Sequence, residues 1–366
     1  MITQLAISGY RSLRDVRLEL ETLNVVTGAN GVGKSSLYRA LRLLAEIAHG
    51  GVVRAIAAEG GLGSARWAGS DNGKDGVSVK LGFTYEDYGY AIDLGLPVGS
   101  AASLPYPGDA MIKTESLWVG QVLSPRNEIA SRKGVLVKVR DAQYVWNNVL
   151  TSLSPYDSMM TQASDPKEGR EILLVRESMR DWRFYDHFRT DRDAPVRRPQ
   201  IGTYTPVLAG DGIDLTAAIH TLRFLGAVDE FDAAVDDAFS GASVQVDGDT
   251  LLMHQRGLWR ALDVAELSDG TLRYLLLIAA LMSPRPPLLM VLNEPEMSLH
   301  PDLLAPLGRL IAKASQTSQV IVVSHADALV EAIAAAAPAN RIVLEKQMGE
   351  TMVVDRDKAA WTWPVR

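Results

Sequence analysis

One nine-residue stretch has the residue types and spacing of a phosphate-binding loop. It fits the pattern G-x-x-x-x-G-K-[ST] at every fixed position and consists of Gly28, Ala29, Asn30, Gly31, Val32, Gly33, Lys34, Ser35 and Ser36. In such a loop, glycines let successive backbone N–H groups point at phosphate oxygens. The lysine supplies a cation to the β- and γ-phosphates, and the serine hydroxyl binds Mg²⁺. The stretch therefore predicts that Lys34 and Ser35 bind a nucleoside triphosphate with its Mg²⁺.

The residues on both sides of this loop predict the elements that must position it. The apolar run of residues 23–26 is typical of a buried strand, and Leu37, Leu41 and Leu44 recur at helical spacing after the loop. A strand, loop and helix in this order would place the phosphates at a helix N-terminus. This context favours a phosphate-binding loop over a glycine-rich turn that matches the pattern by chance.

Two other apolar strands end in polar residues that could act on the phosphates. Residues 288–292 lead into Asn293, Glu294 and Glu296, and residues 319–323 lead into Ser324 and His325. In open α/β sheets, ligand-binding groups lie at the carboxyl ends of the strands. A lone histidine at a strand end is often structural, but one that follows an acidic strand in the chain favours a role at the site.

A helix start lies about 20 residues before the acidic strand. Ser268, Asp269 and Gly270 precede the apolar helix predicted over residues 272–282, and Ser268 or Asp269 would act as its N-cap. By itself this segment indicates only a good helix N-terminus.

Composition sets the class of protein. The chain has 366 residues, more than one hydrophobic core usually spans, with 47% hydrophobic and 22% charged residues, as in ordinary globular proteins. It has no cysteine, which excludes disulfides and thiolate chemistry. No export signal or run of about 18 apolar residues is present, so we expect a cytoplasmic protein that does not bind membranes. A formal charge of −7 gives no global attraction to nucleic acid, so binding to DNA would need a local basic patch.

The remaining segments predict an antiparallel subdomain and a poorly patterned middle. Strands near residues 5–7 and 16–20, a hairpin of residues 77–83 and 90–94, and strands at 116–122 and 135–140 predict a small antiparallel sheet beside the nucleotide site. Residues 97–110 are typical of a loop.

Between 141 and 200, helical pieces such as 171–179 surround an aromatic cluster at 182–188 and many arginines interleaved with aspartates. Mixed signs favour a solvated face over a nucleic-acid groove. Helices at 215–225, 227–239 and 303–314 and hairpins at 243–254 and 342–354 complete the prediction.

Taken in order, these motifs resemble the ATPase heads of the ABC superfamily. Within it, the chain is similar to the SMC and RecF branch, particularly the small bacterial AAA-domain "predicted ATPase" proteins. The similarity includes the Gly-Tyr-Arg-Ser-Leu opening at residues 9–13, Glu294-Pro295-Glu296 and Leu299-His300-Pro301. It covers about residues 1–95 and 205–345 strongly and the middle weakly. No heptad pattern predicts a coiled-coil arm.

This resemblance implies a fold and a division of the chain. The fold would be α/β, a P-loop NTPase head of ABC type with a mixed central sheet, a flanking antiparallel β-subdomain and a helical lobe that carries the signature motif. One head would be assembled from an N-terminal lobe at 1–140 and a C-terminal lobe at 206–366, with a helical or irregular insertion at 141–205.

The resemblance also implies a role for each motif residue. Lys34 and the backbone of residues 28–36 would hold the phosphates of ATP, with Ser35 and Asn293 on Mg²⁺. Glu294 would be the catalytic carboxylate that orients the attacking water, and His325 would sense the γ-phosphate. Ser268 and Gly270 would complete the site of an opposing subunit, so that a homodimer sandwiches two ATP molecules.

The sequence departs from the family pattern at three places. Asn293 stands where most relatives carry Asp, and therefore brings no negative charge to Mg²⁺. Asp269 stands where Gly is common and would bring a negative charge near the phosphates unless it faces away or caps the helix. A glutamine-loop residue has no clear match, and Gln121 and Gln143 are the nearest candidates.

Several functions remain open for such a head. It could be a slow ATPase that acts on DNA in genome maintenance, or one that controls a separately encoded effector such as a nuclease or toxin in phage defence. A non-hydrolysing, nucleotide-dependent scaffold or sensor for such an effector is the alternative. The long gap between phosphate loop and signature disfavours a transporter subunit.

Overall fold

The computed structural model of the chain describes residues 1–69, 78–97, 106 and 108–366. Its strands are β1 (Ile2–Tyr10), β2 (Leu13–Glu19), β3 (Leu23–Thr27), β4 (Val79–Tyr85), β5 (Tyr88–Gly95), β6 (Met111–Val119), β7 (Glu128–Lys133), β8 (Leu136–Arg140), β9 (Trp146–Leu150), β10 (Arg183–Tyr185), β11 (Ser243–Asp247), β12 (Thr250–His254), β13 (Leu262–Asp263), β14 (Leu289–Asn293), β15 (Gln319–Val323), β16 (Asn340–Gln347) and β17 (Glu350–Val353). Its helices are α1 (Lys34–Ala48), α2 (Val52–Ala58), α3 (Leu62–Ala65), α4 (Met159–Gln162), α5 (Arg170–Arg180), α6 (Leu215–Phe224), α7 (Val228–Ala238), α8 (Asp269–Leu281), α9 (Leu304–Ala314) and α10 (Asp327–Ala336).

The chain divides by its contacts into two compact units. The first comprises residues 1–21, 27–182 and 342–366, and the second comprises residues 22–26 and 183–341. Both ends of the chain thus belong to the first unit. These bounds differ from the three segments drawn from the sequence, at 1–140, 141–205 and 206–366, and that division stays a prediction.

The first unit contains a large antiparallel sheet. Within the described ranges its order is β2-β1-β4-β5-β6-β7-β8-β9. Strands β4 and β5 confirm the predicted hairpin, with a turn at residues 86 and 87, and β6 and β8 confirm two further strands. The sheet is larger than predicted because β7 and β9 also join it. Val77, which was assigned to the hairpin, and most of the loop predicted at 97–110 lie outside the described residues.

A buried ion pair anchors the middle of this sheet. The Arg132 guanidinium on β7 lies 2.9 Å from the Glu115 carboxylate on β6, and both side chains are fully buried. Arg132 also donates to the carbonyls of Gly134, Ser154 and Asp157. Glu115 also accepts from the Tyr90 hydroxyl and the Met159 N–H, so each buried charge has several partners that offset the cost of its burial.

The second unit is built on parallel strands that meet at one edge. Strand β14 lies between β10 and β15, and β15 also pairs with β3, all in parallel. The register aligns Tyr185 with Leu292, and Val323 with both Asn293 and Val26. The carboxyl ends of these strands therefore share one edge of the sheet, as predicted from the polar residues that follow them.

Helices and a small sheet complete the second unit. Its core joins β3, β14 and β15 to the apolar faces of α6, α7, α8, α9 and α10. The predicted hairpin at 243–254 is present as β11 and β12, and β13 extends it into a three-stranded sheet in this part of the chain. In the first unit, residues 344–347 of β16 and 350–353 of β17 pair as the hairpin predicted near the C-terminus.

The described helices are short. The longest, α1, has 15 residues, so no coiled-coil arm extends from the described parts of the chain. None of these helices has both the length and the apolar composition that a bilayer crossing requires.

Candidate nucleotide-binding and catalytic site

The phosphate loop has the backbone conformation that its glycines predict. Gly28, Gly31 and Gly33 have φ angles of +145°, +79° and +112°, which side chains rarely adopt. Gly33 caps helix α1 in the left-handed conformation, without a side-chain hydrogen bond. No acidic residue lies in the first turn of α1, so its free N–H groups and positive dipole end can receive an anion.

Lys34 is the buried cation of this loop. Its side chain is 5% exposed, and Nζ donates to the carbonyls of Gly28 and Ala29 at 2.6 and 3.0 Å. The loop therefore curls around the ammonium group. The exposed Ser35 and the half-buried Ser36 follow in the first turn of the helix.

The C-terminal hairpin, formed by β16 and β17, packs against the phosphate loop. The Thr351 hydroxyl on β17 lies 2.6 Å from the carbonyl of Val32 and 2.8 Å from the Ser12 hydroxyl. A Cβ atom at Gly33 would lie 2.3 Å from Thr351 Oγ1, and one at Gly28 would lie 2.3 Å from the carbonyl oxygen of Leu344. Close packing thus requires glycine at both positions.

Glu294 and His325 lie side by side at the carboxyl edge of the parallel strands. Glu294 Oε1 is 3.6 Å from His325 Nδ1. The Glu294 backbone has φ +48°, a strained conformation for a side-chain-bearing residue, and its N–H donates to the Val323 carbonyl. Both side chains are partly exposed, so a ligand at this edge can reach them.

Glu296 holds the chain segment that carries His325. Its Oε1 accepts hydrogen bonds from the Ser324 hydroxyl and from the backbone N–H groups of His325 and Ala326, at 2.6, 3.0 and 3.3 Å. His325 Nδ1 lies 3.3 Å from the same oxygen. The side chain is buried, so Glu296 fixes the position of the histidine rather than offering itself to a ligand.

Arg273 on α8 lies among the carboxylates of Asp186, Glu294 and Glu296, which together form the acidic edge of the parallel strands. It is 2% exposed and donates through Nη2 to the carbonyls of Asp186 and Glu294, both at 3.3 Å. Burial lowers the pKa of its guanidinium, and the carboxylates of Asp186, Glu296 and Glu294 oppose that shift. Arg273 is therefore a buried positive charge that balances the acidic groups around it.

Asn293 binds a neighbouring carboxylate. Its Nδ2 donates to Asp186 Oδ1 at 2.8 Å, and its Oδ1 is buried without a hydrogen-bond partner. Asp186 follows β10 directly, in the aromatic cluster at residues 182–188.

The signature segment forms a capped helix start. Ser268 accepts from the Thr271 N–H, which confirms it as the N-cap of α8. Asp269, which raised the question of an unbalanced charge, lies 2.7 Å from the largely buried Arg197 guanidinium. A Cβ at Gly270 would lie 3.0 Å from the Ser298 carbonyl, so α8 begins against the segment that follows Glu294.

The donor set suits Mg²⁺ carried by a nucleotide rather than a metal held by protein alone. Among the described residues no group of three or more histidine, cysteine or acidic side chains forms a metal cluster. Mg²⁺ commonly uses one or two protein ligands together with phosphates and water. The buried, unpartnered oxygen of Asn293 is an acceptor that such an ion or its water would satisfy.

The sequence did not identify the roles of three residues at this edge. They are Asp186, Arg273, and Glu296, which positions His325. The acid directly after the apolar Phe184-Tyr185 pair was a usable signal for Asp186, whereas nothing local marks Arg273. The two glutamine candidates lie in the first unit, Gln121 after β6 and Gln143 between β8 and β9.

The comparison with solved structures concerns the fold. No curated protein matches the sequence. A structure described as "Crystal structure of the SmcHead bound to the C-winged helix domain of ScpA" is similar over 96% of this chain and 97% of that chain, with 16% identity and a TM-score of 0.51. SMC heads from Thermotoga maritima and Pyrococcus furiosus cover 97% and 96% of this chain and 99% and 95% of theirs, with 16% and 13% identity and TM-scores of 0.44 and 0.49.

Two family matches cover most of the sequence. Residues 1–167 match the family described as "AAA ATPase domain". Residues 122–331, more than half of the chain, match the family described as "AAA domain, putative AbiEii toxin, Type IV TA system". The P-loop ATPase fold predicted from the motifs is thereby confirmed, and the chain belongs to this AAA-domain family, with a fold similar to that of an SMC head.

Proposed function

We propose that this protein binds Mg-ATP and hydrolyses it slowly. The observation that carries the proposal is the pair of Glu294 and His325, 3.6 Å apart at the edge where the parallel strands end. The phosphate loop directly follows β3 in the chain, and β3 is one of these parallel strands. In the proposed reaction Lys34 and the loop N–H groups bind the phosphates, Glu294 orients the attacking water, and His325 contacts the γ-phosphate.

Mg²⁺ would be held by Ser35 and Asn293 together with ATP. Bound there, the ion would neutralise charge on the β- and γ-phosphate oxygens. The strained backbone of Glu294 and the fixed backbone of His325 support a site in which both side chains are positioned before ATP arrives.

Phosphate release tests the reaction. We expect Mg²⁺-dependent release from the wild type, and a fall of about 10²- to 10⁴-fold in Glu294→Gln, since general-base groups contribute that much. Glu294→Gln should retain a fluorescent ATP analogue, whereas Lys34→Ala should lose it. Glu331→Gln, an exposed glutamate on α10, is the matched control and should behave as wild type.

A wild type that binds Mg-ATP but releases no phosphate above the Glu294→Gln level would contradict hydrolysis. It would support the alternative, a nucleotide-dependent scaffold or sensor that does not turn over.

We further propose an ATP-gated homodimer. Ser268 is exposed at the start of α8, and the charge of Asp269 is balanced by Arg197, which supports a signature segment free to meet the ATP of a second copy. Light scattering of Glu294→Gln should report a dimer at saturating Mg-ATP and a monomer without nucleotide. A monomer under both conditions would contradict the dimer.

DNA is the first candidate substrate, and one groove favours it. A cavity of 530 Å³ between α1 and α2 is lined by Arg11, Arg39, Arg42 and Arg54, with Glu46 and Glu59. Arg11 pairs with Glu59, whereas the other three arginines have no ion-pair partner among the described residues. Unpaired arginines in a groove suit a phosphate backbone.

The arginines in the middle of the chain are less suited to bind DNA phosphates. Arg180, Arg189 and Arg197 each form an ion pair with an acidic side chain. This pairing agrees with the solvated face predicted from their mixed signs, so we assign DNA binding to the α1–α2 groove.

Fluorescence anisotropy with labelled duplex DNA tests this assignment. We expect ATP-dependent affinity that falls with salt, and a loss of about tenfold or more in Arg39→Glu/Arg54→Glu, because each removed phosphate contact lowers affinity and the salt slope. Arg285→Glu, an exposed arginine in the second unit, is the control. Binding that is absent, or insensitive to salt and to the groove variant, would remove DNA as the substrate.

A separately encoded effector in phage defence is the second candidate. The description of the matching family, which includes a toxin of a type IV toxin–antitoxin system, favours it. The solved SMC head that shares this fold is bound to a domain of another protein. ATP-dependent co-purification of a nuclease or toxin with Glu294→Gln, together with no DNA binding, would support this candidate. DNA binding without such a partner would contradict it.

A further inference from the structure

Asp186 and Asn293 form a pair at the ends of two neighbouring strands. Strands β10 and β14 align Tyr185 with Leu292, so the next residues, Asp186 and Asn293, lie side by side. The Asn293 amide nitrogen donates to Asp186 Oδ1 at 2.8 Å. Both side chains are half-buried, directly beside Glu294.

This hydrogen bond fixes which way the asparagine points. An amide has a donor end and an acceptor end, and a carboxylate can only accept. The reversed amide would set two oxygens against each other, so Asp186 holds the NH₂ group toward itself and leaves Oδ1 as the free end. That oxygen is buried and accepts no hydrogen bond from the described residues.

A buried acceptor without a donor lowers stability, so it calls for an explanation. A divalent cation, or water bound to one, would satisfy this oxygen. Arg273 does not occupy it, because its Nη2 donates to the main-chain carbonyls of Asp186 and Glu294 instead.

We propose that Asp186 supplies, through Asn293, the negative charge that β14 lacks for Mg²⁺. Asn293 directs its oxygen to the ion or its water, and Asp186 is the positioning residue that orients the amide and polarises it. The carboxylate would thus act from the end of the neighbouring strand β10. The proposal rests on the Mg-ATP binding proposed above.

A carboxylate–amide exchange tests it. In a Glu294→Gln background, which prevents turnover, the apparent Mg²⁺ affinity is measured from the Mg²⁺ dependence of binding of a fluorescent ATP analogue. We expect Asp186→Asn to weaken Mg²⁺ affinity by about tenfold or more, the usual effect of removing an outer-shell partner. Affinity for the analogue in EDTA should not change.

The exchanged pair, Asp186→Asn with Asn293→Asp, returns a carboxylate and an amide to the same two positions and should restore most of the Mg²⁺ affinity. Asn293→Asp alone sets two carboxylates together and should unfold at a lower temperature in the absence of Mg²⁺ than in its presence. Asp193→Asn, an exposed aspartate in the segment after β10, is the control and should keep wild-type affinity.

The outcomes separate this inference from the function on which it rests. An Asp186→Asn variant with unchanged Mg²⁺ affinity would overturn the inference, as would a folded exchanged pair that restores none. If the Asp186–Asn293 hydrogen bond served stability alone, Asp186→Asn would lower the unfolding temperature equally with and without Mg-ATP, which would also overturn the inference. If the parent Glu294→Gln protein bound no analogue with or without Mg²⁺, the proposed function itself would fail.

Discussion

The phosphate loop and the acidic edge are positioned by opposite means. In the loop, Gly28 and Gly33 leave out side-chain atoms so that strands β16 and β17 can pack against the backbone. At the acidic edge, Asp186, Glu294 and Glu296 are held by charged and polar groups, among them the buried Arg273. The loop should therefore be most sensitive to added atoms, and the acidic edge to a removed charge or hydrogen bond.

Gly28→Ala should have the largest effect. The new Cβ would lie 2.3 Å from the backbone oxygen of Leu344, and the φ of +145° strains any side-chain-bearing residue. Together these terms should lower the free energy of unfolding by about 2 to 5 kcal/mol. Chemical denaturation measures this loss, and binding of a fluorescent ATP analogue should fall as well.

Gly31→Ala is the matched control for this change. Gly31 also has a positive φ, +79°, but no atom lies within 4 Å of its added Cβ. We expect only the conformational cost of about 1 kcal/mol. Equal losses in the two variants would show that packing against the hairpin does not shape the loop.

Arg273→Met should have the next largest effect. It removes the cation among three carboxylates while keeping an apolar stem of similar length, and loss of one partner from a buried charged group costs about 3 kcal/mol. Thermal unfolding gives the change. Arg309→Met is the control, because Arg309 pairs with Asp237 at the surface, where the loss should stay below about 1 kcal/mol. An Arg273→Met protein as stable as Arg309→Met would mean that the acidic edge does not depend on its buried cation.

The difference between the phosphate loop and the acidic edge also explains which site residues the sequence could predict. The loop, the N-cap Ser268 and the polar ends of β14 and β15 depend on residues close together in the chain, so spacing alone predicted them. Asp186 and Arg273 reach the edge from β10 and α8, and only the fold brings them to Asn293 and Glu294. The local pattern marks Asp186 as a residue at a strand end, but it does not show which strand lies beside it, and it gives no signal for Arg273.

The antiparallel sheet was under-predicted for a related reason. Strand β9 has the sequence Trp-Asn-Asn-Val-Leu, and asparagine is depleted in strands. Strand β7 carries Arg132, most of whose partners, Glu115 and the carbonyls of Ser154 and Asp157, are distant in the chain. Pairing with neighbours, rather than intrinsic propensity, makes both segments strands.

Glu296→Ala should have an intermediate effect. It leaves the Ser324 hydroxyl and the N–H group of His325 without their acceptor, which should cost about 1 to 3 kcal/mol. Phosphate release should fall as well, because His325 loses its support. Glu296→Gln is the control, since the remaining oxygen can still accept these bonds. If the alanine and glutamine variants unfolded at the same temperature, the hydrogen bonds would not be what holds this segment.

Thr351→Val should have the smallest effect, and it tests the comparison from the side of the loop. The change keeps the shape of the side chain but removes the hydroxyl that contacts Val32 and Ser12. The packing of the Leu344 main chain against Gly28 remains, so we expect a loss of about 1 kcal/mol, the usual value of one hydrogen bond, and nearly unchanged ATP affinity. Denaturation and nucleotide titration check both values. If Thr351→Val cost as much as Arg273→Met, one buried polar group would hold the loop as charges hold the acidic edge, and the two regions would not differ in kind.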